Sequence, residues 1–67
     1  MAIAKVIELS ASSSNSFEDA IRQGIERAGK TIENIQGVWV HEQHVKVDAN
    51  KITEWRVIMK VTFVLND

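Results

Sequence analysis

GVWVHEQHVKVDANKITEWRVIMKVTFVL, residues Gly37 to Leu65, decides the fold. Val38, Trp39, Val40, Val45 and Val47 lie on one arm, and Ile52, Trp55, Val57, Ile58, Val61, Phe63, Val64 and Leu65 on the other. Asp48-Ala49-Asn50-Lys51 between them is polar and turn-prone, so the stretch reads as one long β-hairpin. Pairing Val47 with Ile52 sets Gln43 opposite Arg56, His41 opposite Ile58 and Trp39 opposite Lys60. One face then carries Val38, Val40, Val57, Met59, Val61 and Phe63. The other carries Gly37, Trp39, His41, Gln43, Arg56, Ile58, Lys60 and Thr62, in a register that any bulge shifts.

Two smaller elements precede the hairpin. In IAKVIELSA, from Ile3 to Ala11, Ile3, Lys5, Ile7 and Leu9 alternate with Ala4, Val6 and Glu8, which predicts a strand. Ser10 to Ser16 reads as a strand-to-helix loop of ordinary length, without the glycines of a phosphate-cradling loop. Ser16 then suits a helix N-cap, with Glu18 and Asp19 at the positive end of the dipole. Phe17, Ala20, Ile21, Gly24, Ile25, Ala28, Ile32 and Ile35 recur at three- and four-residue spacing and predict a helix from Phe17 to Asn34. Arg22, Gln23, Glu26, Arg27, Lys30 and Glu33 fill its other side, and Gly24 on the apolar stripe permits a close helix–sheet approach. The order β-α-β-β makes residues 1–67 a single α+β domain with a three-stranded antiparallel sheet.

Length then implies partners. The predicted helix spans about 27 Å at 1.5 Å per residue, whereas a strand from Lys51 to Leu65 reaches about 50 Å. The helix cannot shield the whole strand, and Val45, Val47, Ile52 and Trp55 near the tip would be wet in a monomer, as at an association surface. A chain of 67 residues has a marginal core, and without cysteine it has no disulfide to reinforce it. A homo-oligomer is the expectation.

A net charge of −1 gives no case for nucleic acid or an anionic membrane. Apolar runs fall far short of the ~20 residues that span a bilayer, and the first residues lack a signal-peptide core. The expected location is cytoplasmic. No serine or carboxylate pair forms a nucleophile–base constellation, so no catalytic residue is assigned and the chain is not expected to be an enzyme. His41 and His44 have opposite parity and cannot share a metal from one chain, and Asp48-Ala49-Asn50 lacks the further carboxylates and glycine of a calcium loop. No metal ligand is assigned. Trp39 suits either stacking on a planar ligand or burial against a second copy.

KVIELSASS, SFEDAIRQGIERAGKTIENI, VWVHEQHV and ITEWRVIMKVTFVL together resemble the dodecin family, ungapped over almost the whole chain. The resemblance implies a hollow homododecameric shell with cubic symmetry, and sequestration of flavin rather than its turnover. It also implies a tryptophan at the start of the second strand that stacks on the isoalloxazine ring, and a glutamine early in the third strand that bonds the ring edge. Here those positions hold Gly37 and Arg56, and Trp39 lies two residues on, on the same face. The expected ligand is FMN or riboflavin, with Gly37, Trp39, Arg56, His41 and Gln43 lining the site. The alternative is a flavin-less shell with a structural or ion-storage role, calcium among the ions.

Overall fold

A computed structural model describes residues 3–65. Its elements are β1 (Ala4–Ser13), α1 (Phe17–Ala28), β2 (Ile35–Asp48) and β3 (Lys51–Val64). They form an antiparallel sheet in the order β1-β3-β2, with α1 packed chiefly across β1 and β3. The molecule is elongated, 52 × 19 × 13 Å, because the hairpin runs on past the helix.

The β1 alternation holds. Ile7, Leu9 and Ala11 pair with Val61, Met59 and Val57 on the helix side. The strand also runs through the serines expected to form a loop, with Ser10, Ser12 and Ser13 paired to Ile58, Arg56 and Trp55. The reason lies in Ser13, which is buried. Its hydroxyl donates to Asp19 Oδ2 at 2.6 Å and accepts from the Asn15 amide at 2.9 Å, so the polar strand end is fully satisfied. Ser16 then caps α1, its Oγ accepting from the Asp19 amide at 3.0 Å. Asp19 also accepts from Gln23 at 2.6 Å. The Ser13 hydroxyl, followed by the Gln23 amide, holds its carboxyl below the ordinary range.

The helix ends at Ala28, not at the expected Asn34. The Lys30 and Thr31 amides reach back only three residues, to Arg27 and Ala28, and tighten the last turn. Asn34 then adopts a φ of 63°, a left-handed bend that asparagine tolerates, and points the chain into β2. Ile35, counted on the helical stripe by spacing, opens β2 instead. With 12 residues the helix spans about 18 Å, so the shortfall in cover is larger than its periodicity implied.

The core sits where α1 crosses the sheet. Ala20, Val57, Met59 and Val61 are fully buried, with Leu9, Ala11, Phe17, Ile21 and Val38 packed around them. Burial of each large side chain stabilises the fold by roughly 1.5–3 kcal/mol. Gly24 is needed for this contact. A Cβ there would run into Met59 Cε and crowd Ala11 Cβ at 3.2 Å. Val40 faces the same side opposite Met59 yet stays exposed, because β2 lies beyond the helix.

The hairpin closes more tightly than a four-residue loop. Asp48 pairs with Lys51 across a two-residue turn in which Ala49 (φ 50°) and Asn50 (φ 63°) are both left-handed, the twist that suits a hairpin. Val47 pairs with Ile52 as expected, but bulges then alter the register. Thr53 is an extra residue in β3 and shifts the pairing one way; its hydroxyl bonds the Lys46 carbonyl at 3.3 Å. His41 is an extra residue in β2 and shifts it back. The expected pairs Gln43–Arg56 and His41–Ile58 are therefore replaced by Gln43–Val57 and Glu42–Ile58, while Trp39–Lys60 stands.

Candidate functional site

The sheet face away from the helix is built in rows across β1, β3 and β2. Val6, Thr62 and Gly37 form one row, followed by Glu8, Lys60 and Trp39, then Ser10, Ile58 and Glu42, and finally Ser12, Arg56 and His44. Cross-strand partners share a face, so this pairing decides which side chains meet.

Trp39 dominates this surface at 76% exposure. A Cβ built on Gly37 meets nothing within 4 Å, so the position beside Trp39 along β2 is open. The two lie on one face at strand spacing, and a planar group laid on the indole meets no side chain at Gly37. Lys60 stands between Trp39 and Glu8, which places a cation and a carboxylate at the rim.

Arg56 is held from below. Its Nη2 donates to Glu54 Oε1 at 2.9 Å with the Arg56 side chain 39% exposed. The Arg56 bond, then one from the Ser12 hydroxyl, keeps the Glu54 carboxyl below its ordinary range. The guanidinium is thus tied to its own strand through this bond.

The bulges redistribute the other expected site residues. Gly37, Trp39 and Arg56 share the outer face. Gln43 does not, because its pairing with Val57 puts it on the helix-side face. His44 takes the place beside Arg56, and Glu42 takes the place opposite Ile58 that parity had given to His41. His41 sits exposed at the bulge without a cross-strand partner. Glu42 and His44 were missed by strict alternation, because two bulges that cancel over a dozen residues leave no mark in the polar pattern. Among the described residues no group of three or more His, Asp or Glu side chains is placed to hold a metal ion. No described helix is long and apolar enough to cross a membrane.

Residues 3–66, nearly the entire chain, match the dodecin family model. The chain belongs to the dodecin family. Dodecins are small ligand-binding storage proteins. Solved dodecin structures superpose closely on this one. The dodecin from Streptomyces davaonensis is 32% identical, with a TM-score of 0.93 over 98% of this chain and 97% of that one. A Thermus thermophilus dodecin mutant is 27% identical, with a TM-score of 0.95 over the full length of both chains. Calcium dodecin, a calcium-chelating immunodominant antigen of Mycobacterium tuberculosis, is 31% identical, with a TM-score of 0.82 over 96% of this chain and 91% of that one. No curated protein sequence matches the chain. The β-α-β-β fold with one helix on a three-stranded antiparallel sheet is the dodecin fold.

Proposed function

We propose that this dodecin assembles as a homododecameric shell in the cytoplasm. It binds and sequesters a planar small ligand on the Trp39 face, with FMN or riboflavin as the occupant its family suggests. The reading rests on one observation above all, a tryptophan at 76% exposure beside an open glycine position on a sheet face without helical cover. An indole so exposed in one chain gains from any flat apolar partner, and aromatic stacking adds about 0.5–1.5 kcal/mol beyond area burial. Gly37, Trp39 and Arg56 form the site in this reading, with Arg56 supplying charged donors to a ring edge or phosphate. Lys60 and His44 stand at its margin, and Gln43 has no part in it. The protein holds its ligand and does not turn it over.

Fluorescence titration tests this. Riboflavin and FMN emission should be quenched by the wild-type protein and much less by Trp39→Ala. Unchanged emission with wild type at high micromolar protein would remove flavin as the ligand.

A second reading has specific support. The positions that grip flavin in the family hold glycine and arginine here, and the arginine is already engaged by Glu54. Calcium dodecin is also among the similar structures. In that reading the shell is flavin-less and stores an ion, with carboxylates gathered between copies. Calorimetry with calcium chloride separates the two, since only this reading yields saturable heat that survives Trp39→Ala.

A further inference from the structure

A second concavity lies on the other side of the molecule. It is a groove of about 450 Å³ between α1 and β1. Ile7, Leu9 and Ala11 from β1 and Ala28 and Ile32 from the helical side give it an apolar wall, with Arg27 also lining it. No β3 residue lines it, so it opens along the edge of β1 that has no neighbouring strand. An uncovered sheet edge beside an apolar groove is a place for another chain to bind.

The same chain carries a matching projection at its far end. Pairing of β1 with β3 stops at Ser13–Trp55, so Lys46 to Glu54 project as a bare two-stranded tip. Val47 and Ile52 are cross-strand partners on that tip, 60% and 47% exposed. Asp48 follows Val47 at the corner of the turn. Among the described residues, neither the Asp48 nor the Arg27 side chain takes part in an ion pair or hydrogen bond. Both are exposed.

We propose that the hairpin tip of one copy seats in the α1–β1 groove of the next. Val47 and Ile52 enter the apolar groove and Asp48 meets Arg27 at its rim. Each copy then offers one tip and accepts one, a head-to-tail contact. The contact covers two surfaces that a lone chain leaves wet, and brings unlike charges to the Arg27 and Asp48 side chains, which have no ion-pair partner among the described residues. It rests on the proposal that the chain self-associates and names the surfaces through which it does so.

Charge reversal at the contact tests it. Arg27→Asp and Asp48→Arg should each weaken association about tenfold or more, because like charges then meet in the contact. Sedimentation velocity at low micromolar protein reads this as a shift to smaller species, with the far-ultraviolet circular dichroism unchanged. The double variant Arg27→Asp/Asp48→Arg should regain the wild-type distribution. Wild-type assembly in both single variants, or failure of the double variant to recover, overturns the tip-in-groove contact. A monomeric wild type would instead overturn the shell reading beneath it.

Discussion

The two halves of the hairpin are made of similar residues and meet different fates. Where α1 crosses β3, Val57, Met59 and Val61 are fully buried; at the tip, Val47 is 60% and Ile52 47% exposed. Both stretches carry branched apolar residues beside polar ones, and such residues alone do not say which stretch is covered. The difference is cover. About 18 Å of helix lies on strands of 14 residues, each roughly 46 Å long. One half is therefore stabilised by its own chain, and the other is left without cover within it.

Substitutions in the two halves should separate accordingly. The largest effect belongs to Met59→Ala, which leaves a cavity beneath Gly24 and should lower unfolding stability by about 2–5 kcal/mol. Denaturant unfolding checks it, and the loss should appear even at protein concentrations where assembly is saturated. Truncation at Val47 should instead show mainly as a dependence of stability on protein concentration.

A smaller effect is expected at the helix start, where the covered half is tied to the sheet. Ser16→Ala removes the cap and should cost about 1 kcal/mol. Because the Asp19 carboxyl is held below its ordinary value of 3.8, its contribution is fully present above about pH 4 and is lost as pH falls through the folded value. Glu54 at the other end of the covered half follows the same sign. Stability measured by chemical unfolding between pH 5 and pH 3 should fall less steeply for Asp19→Asn than for wild type.

The smallest effect lies at the tip. Ala49 adopts a left-handed φ of 50°, which is unfavourable for a residue with a Cβ. Ala49→Gly should raise thermal stability by up to about 1 kcal/mol, since glycine enters this conformation without strain. A destabilised variant would mean that the turn is set by contacts to another copy rather than by its own backbone preference.

Much of this organisation is legible in the residues. Alternation identifies all three strands, and Ser16-Phe17-Glu18-Asp19 marks the helix start correctly. What escapes has local causes. Ile32 and Ile35 keep the helical spacing although the helix has ended, because Ile32 lines the groove and Ile35 begins a strand. The serines after Leu9 look like a loop by composition, yet Ser13 is held inside by Asp19, a contact set by the fold. At the candidate site, Trp39 is placed correctly because the bulges at Thr53 and His41 cancel before it is reached. Gln43 lies between those bulges and so changes face. The extra residues have ordinary side chains, and nothing in their identity announces them.

In the proposed shell, the bare half of the hairpin is covered by other copies of the same chain. Sedimentation velocity of the purified wild-type protein at low micromolar concentration tests it most directly. A single boundary at the mass of a dodecamer of the 7.6 kDa chain is the predicted result. A folded, stable species sedimenting as one chain would contradict it.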